Sequence, residues 1–211
     1  MRSSINLEFL FRVYPEKYFP FDFETYRKST DRFVMVTSNC LTGKAEYYEE
    51  KQDENRLLDI CQASCTLPVL CPVTYVDGIP MVDGGVCDAI PIQRSIDDGN
   101  QQNVIVLTRN KGYRKKDKDF KLPGFIYRQY PAIREQLRLR YRKYNEVLDY
   151  IDELEAQGKA VVIRPERPME VGRTSDDRQK LIELYEEGYQ LAGKMLSNIP
   201  YAADSFFSQR I

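Results

Sequence analysis

The stretch Tyr75-Val-Asp-Gly-Ile-Pro-Met-Val82 constrains this 211-residue chain more than any other, because it reads as two short strands about an Asp77-Gly78 turn. A two-residue Asp-Gly loop between apolar residues is a strong local hairpin signal, since both turn positions need a left-handed backbone that Asp and Gly tolerate. The second strand runs into Asp83-Gly84-Gly85, where paired glycines let the chain turn sharply. A carboxylate at that point projects from the end of a strand, the edge at which ligands collect in α/β sheets. Taken alone, a Gly-Gly turn after a strand is more often structural than functional.

The flanking segments supply a coarse architecture. Arg32–Cys40 is β-branched and apolar enough for a buried strand, and Leu41-Thr-Gly43-Lys turns it toward Ala45–Glu50, which predicts a hairpin at a sheet edge. Ile5–Val13 reads as a short amphipathic helix closed by Tyr14-Pro15, and Phe21–Ser29 reads as another. In Glu54–Cys65 the residues Leu57, Leu58, Cys61 and Cys65 fall at helical spacing. Pro91–Asp98 then reads as a short helix and Asn103–Thr108 as an apolar strand. A long helix is expected from Pro131 to Gln157 on Ile133, Leu137, Tyr141, Tyr144, Leu148, Ile151 and Leu154, ended by Gly158. Ala160–Arg164 is a short strand, and Thr174, Ser175, Asp176 and Asp177 cap a last helix built on Ile182, Tyr185, Tyr189, Ala192 and Met195. Helices alternating with strands predict a mostly parallel sheet covered on both faces, in a single domain spanning residues 1–211.

The chain contains no histidine, which removes every Ser-His-Asp, Cys-His and His-metal mechanism from its repertoire. Its five cysteines (Cys40, Cys61, Cys65, Cys71, Cys87) are an odd number without a secretory signal, so they are expected to be reduced thiols packed as small hydrophobes in a cytoplasmic protein. Their spacing matches no familiar zinc knuckle, and no cofactor or metal is expected. No window approaches the roughly 18 apolar residues that a membrane span requires.

Gln62–Ile92 as a whole changes the weight of the Asp-Gly-Gly turn. Ala63-Ser64, Pro68, Asp77-Gly78, Asp83-Gly84-Gly85 and Asp88-Ala89-Ile90-Pro91-Ile92 occur in one order over about thirty residues. That block resembles the second signature of the bacterial patatin-like phospholipases, a family of lipid acyl hydrolases, and a looser likeness continues through the chain. The resemblance implies a three-layer α/β/α sandwich with a mostly parallel sheet and C-terminal helices, and a substrate that is a lipid or another acyl ester. It also implies hydrolysis by a Ser-Asp dyad without histidine, with Asp83 as the dyad carboxylate and Gly84 and Gly85 as the backbone of its motif. This sequence departs from the family in one respect: it has no G-x-S-x-G elbow for the serine and no Gly-rich oxyanion loop, since Gly43 and Gly78 are the glycines that precede Asp83. Both missing elements belong to the family's N-terminal part, so the chain is expected to be an N-terminally truncated domain, inactive alone, that self-associates through unpaired sheet edges. The alternative is a non-catalytic scaffold that binds a lipid surface or a protein.

Three further features carry weaker expectations. Between Arg109 and Lys143 there are thirteen Lys or Arg against Asp117, Asp119 and Glu135, in a chain of net charge -1. This run is a candidate contact for an anionic membrane surface, making the protein peripheral to it, but a solvated face balanced by Glu146, Asp149, Asp152, Glu153 and Glu155 is the simpler reading. No nucleic-acid-binding module accompanies the charge. The run Phe19-Pro20-Phe21-Asp22-Phe23 is expected to pack into the core rather than line an acyl pocket, and Asp88 is expected to cap the short helix after it.

Overall fold

The computed structural model describes residues 5–116, 123, 125–172 and 175–196. The chain divides into two compact units, Met1–Pro91 with Lys115–Asn145, and Ile92–Arg114 with Glu146–Ile211.

The first unit is organised around a four-stranded sheet in the order β2-β1-β4-β3, formed by β1 (Met35–Asn39), β2 (Ala45–Tyr48), β3 (Thr74–Val76) and β4 (Ile79–Asp83). Every pairing in it is antiparallel. This corrects the expectation of a mostly parallel sheet, and the cause is the turn chemistry. β3 and β4 are joined by Asp77 and Gly78 alone, at φ 52° and 77°, and strands connected by so short a loop can pair in no other sense. The parallel pairing that is present lies in the second unit, where β5 (Asn103–Val106) runs alongside β6 (Ala160–Ile163) in register Asn103↔Ala160 to Val106↔Ile163. These two strands are separated in sequence by the helix α5 (Pro131–Ala156), a connection long enough for a parallel return. The α/β class therefore stands, and among the described residues the larger sheet is antiparallel.

Successive residues of β4 enter different clusters, as the two-residue period of a strand requires. Met81 joins Met35, Leu57, Ile60, Ala63 and Val76, the three middle members coming from or packing along α3 (Glu54–Ser64). Val82 joins Cys40, Val86, Tyr130, Ile133 and Leu137, which brings the start of α5 onto that face. Helix α3 begins where the Asp53 carboxylate accepts the Arg56 N–H at 3.1 Å. It buries Leu57, Ile60 and Ala63 rather than the Leu57, Leu58, Cys61 and Cys65 stripe read from spacing, and Cys65, its C-terminal cap, is exposed. No buried side-chain N or O atom among the described residues lacks a hydrogen-bond partner.

The N-terminal helix does not stop at Tyr14-Pro15. A π-helical turn over Phe9–Val13 leads directly into α1 (Tyr14–Lys17), the Tyr14 N–H reaching back to Phe9 O. The wider turn gives Pro15 an N1/N2 position in α1, where its missing N–H costs nothing. Helix α2 (Phe23–Lys28) is capped by Asp22, which accepts the Thr25 N–H at 2.9 Å. Phe19, 72% exposed, and Phe21 are not core residues, although Phe23 packs against the cluster around Ile60.

In the second unit, α4 (Ile92–Asp97) precedes β5, and α6 (Arg178–Leu196) starts where Asp177 accepts the Gln179 N–H at 3.1 Å. Residue 174, part of the expected cap, lies outside the described residues. Ile105 is the buried member of Val104-Ile-Val106, so the expected apolar strand shows one side to solvent. Tyr185 and Tyr189, expected on the inner face of the last helix, are exposed and stack on each other with ring centroids 6.4 Å apart. No helix among the described residues is long and apolar enough to cross a membrane.

Candidate functional site

The Asp-Gly-Gly motif lies at the end of β4, where Asp83 leaves the strand at φ −40° and ψ 127° and residues Gly84–Val86 close a single 3₁₀ turn. Four contacts hold it there. The Asp83 N–H donates to Thr66 O at 2.9 Å, in the segment just beyond α3. Asp83 Oδ1 accepts the Gly85 N–H at 2.7 Å, so the carboxylate caps the turn that follows it. The fully buried Ser38 hydroxyl lies 2.9 Å from Asp83 O and 3.3 Å from Gly84 O as a donor, and accepts the Cys87 N–H at 3.1 Å. From α5, Arg140 Nε donates to Gly85 O at 2.6 Å.

Gly84 is required by geometry, and Gly85 is closely confined by two side chains. A Cβ on Gly84 would overlap the Val36 carbonyl of the neighbouring strand, and one on Gly85 would meet Asp83 Oδ1 at 3.0 Å and Arg140 Nη2 at 3.3 Å. The three motif residues read from sequence are therefore together, and Thr37↔Asp83 register fixes the carboxylate opposite β1. Asp88 is elsewhere in the network: its Oδ2 accepts the Tyr47 hydroxyl at 2.6 Å, so it ties the segment after the turn to β2 instead of capping α4. Ser38 and Arg140 had no local sequence signal. Cys65 also borders the site: although the residue is exposed, its thiol is partly enclosed, and that desolvation, then the negative charge of Asp83 and then Cys71, push it up. The segment past Thr66 carries a strained residue, Val69 at φ 74°, where a β-branched side chain costs on the order of 1–3 kcal/mol. Burial pushes the hydroxyl of Tyr127, which hydrogen-bonds the Val69 backbone, up to about 12.

Asp83, Gly84 and Gly85 fall inside residues 6–95, which match the family model described as Patatin-like phospholipase. That segment, less than half of the chain, is similar to the patatin-like family. Residues 130–200, covering all of α5, β6 and α6, match a second model described as Domain of unknown function (DUF6363). Of the looser likeness read from sequence beyond Ile92, the part in residues 130–200 falls in a region with its own match, and residues 96–129, which include β5, fall in neither match. No curated protein matches the chain. The likeness of residues 6–95 is to a family of phospholipases, which act on lipids.

The cationic run between Arg109 and Lys143 is largely partnered where it is described. Lys111 pairs with Glu155 at 3.2 Å, Arg114 with Asp149 at 2.5 Å and Arg138 with Glu135 at 2.7 Å, while Lys115 sits over the Tyr144 ring. Asp117 and Asp119 lie outside the described residues. Among the described residues, no group of three Cys, Asp or Glu side chains is arranged to hold a metal ion.

Proposed function

We propose that Asp83 is the carboxylate of a Ser-Asp acyl-ester hydrolase site, and that this sequence supplies that half of the site without its nucleophile. The supporting observation is the anchored carboxylate itself: within the patatin-like match, Asp83 ends a central strand and its Oδ1 is fixed by the Gly85 N–H. In such a dyad the carboxylate takes the proton of the serine hydroxyl as its oxygen attacks the ester carbonyl, then returns it to the departing alcohol. The serine would come from a G-x-S-x-G elbow, which this sequence does not contain. Open strand edges follow from the same reading, and the exposed Val104 and Val106 of β5 support self-association through them.

Hydrolysis of p-nitrophenyl esters tests the reading. The 211-residue chain is expected to show no turnover above its Asp83→Ala variant, and turnover that depends on Asp83 would mean that a nucleophile lies within this sequence. Reading the DNA upstream adds a second arm: an in-frame G-x-S-x-G within about 100 codons supports the hydrolase, whereas an in-frame stop favours a non-catalytic scaffold.

A further inference from the structure

Gly85 is gripped through both of its backbone polar groups. Its N–H donates to Asp83 Oδ1 at 2.7 Å, and its carbonyl accepts Arg140 Nε at 2.6 Å from a helix 55 residues further along the chain. A Cβ built on Gly85 would meet Asp83 Oδ1 and Arg140 Nη2 together, so carboxylate and guanidinium lie on the same side of that residue. Paired glycines have the largest backbone freedom to lose, and a turn made of them holds a catalytic geometry only if something outside it restrains it. The planar guanidinium suits this task, because its Nε bonds the carbonyl while Nη2 lies on the carboxylate's side of Gly85.

We propose that Arg140 is a positioning residue for Asp83: it pins the Gly84-Gly85 turn so that the Gly85 N–H stays aimed at the carboxylate, and it sets a positive charge on that carboxylate's side. The proposal rests on the reading of Asp83 as the dyad carboxylate and deepens it. It also assigns a task to the region matched to a domain of unknown function, since Arg140 lies within residues 130–200. Neighbouring arginines of α5 are engaged differently, Arg134 with the carbonyls of Pro123 and Ile126, and Arg138 with Glu135.

Backbone amide exchange and amide-proton resonances of the 211-residue chain, followed by NMR, test it without an ester. In Arg140→Met, exchange at Gly85 is expected to accelerate about tenfold, as loss of support for a charge-assisted bond implies. Its amide proton should move in the same direction as in Asp83→Asn, while Val82 and Ser38 keep their protection. Arg140→Lys, which retains a cationic donor, should recover part of both effects. An unchanged Gly85 in Arg140→Met overturns the proposal, as does a loss of protection shared equally by Val82 and Ser38, which would mark Arg140 as a packing residue. If Arg140→Met does not fold, Arg140→Lys alone must shift the Gly85 resonance toward its position in Asp83→Asn, and no shift overturns the proposal. Failure here leaves the ester assay standing, and failure of the ester assay leaves these amide measurements intact.

Discussion

Strand β4 in the first unit buries Pro80, Met81 and Val82 in succession, whereas β5 in the second buries Ile105 and leaves Val106 71% exposed. The residue types are much alike, and the difference is in the number of neighbours. β4 has β1 on one side and β3 on the other, with apolar clusters on both of its faces. β5 belongs to a two-stranded sheet, so it is an edge strand, and edges expose both backbone and side chain. The comparison teaches that apolar sequence alone does not make a core. Burial follows from how many strands and helices a turn pattern brings together.

The sharpest way to break this contrast is a pair of truncations read by urea unfolding. Met81→Ala, at a fully buried position, is expected to cost about 2–5 kcal/mol, because the emptied space is closed in by strand and helix neighbours. Tyr185→Ala, at a side chain 71% exposed, should change stability by no more than about 0.5 kcal/mol. Similar costs at both would erase the distinction between the units. A smaller effect is expected in assembly: size-exclusion chromatography should show the chain above monomer size, with Val106→Lys moved toward monomer. A stable monomer before any substitution would count against open edges as sites of association.

Acid sharpens the comparison least, and only in the first unit. The backbone N–H of Asp53, followed by that of Gln52 and the Arg56 guanidinium, holds the Glu50 carboxyl down at about 2, against an ordinary value of 4.5. The unfolded chain therefore binds the proton first as pH falls. Glu50 contributes stability that is fully present above about pH 4.5 and is lost as pH drops toward 2. In Glu50→Gln, the melting temperature should vary less with pH across that window than it does in the parent chain. An identical slope would show that the carboxylate adds nothing there.

Local chemistry was legible in the sequence, and long-range closure was not. The Asp77-Gly78 hairpin, helix α3 and the Asp-Gly-Gly turn all announce themselves within a few residues, and each is present. Ser38 and Arg140 stand 45 and 55 residues from the groups they bond, and nothing about a serine in a strand or an arginine in a basic helix foretells those partners. The sense of the sheet was misread because alternation of helix and strand was given more weight than the two short turns, which force antiparallel neighbours. Phe19 and Phe21 show the limit of composition: they look like core by type, yet the aromatic loop leaves them at the surface.

Gly84 illustrates how one position can answer two demands at once. Its Cα lies so near the Val36 carbonyl that even a methyl group has no room, so any change there would push two bonded strands apart. A descendant that had abandoned ester chemistry would still be obliged to keep this glycine in order to fold. Finding the glycine in a distant homologue therefore attests to an intact strand pair and says nothing of the chemistry proposed for the acid beside it.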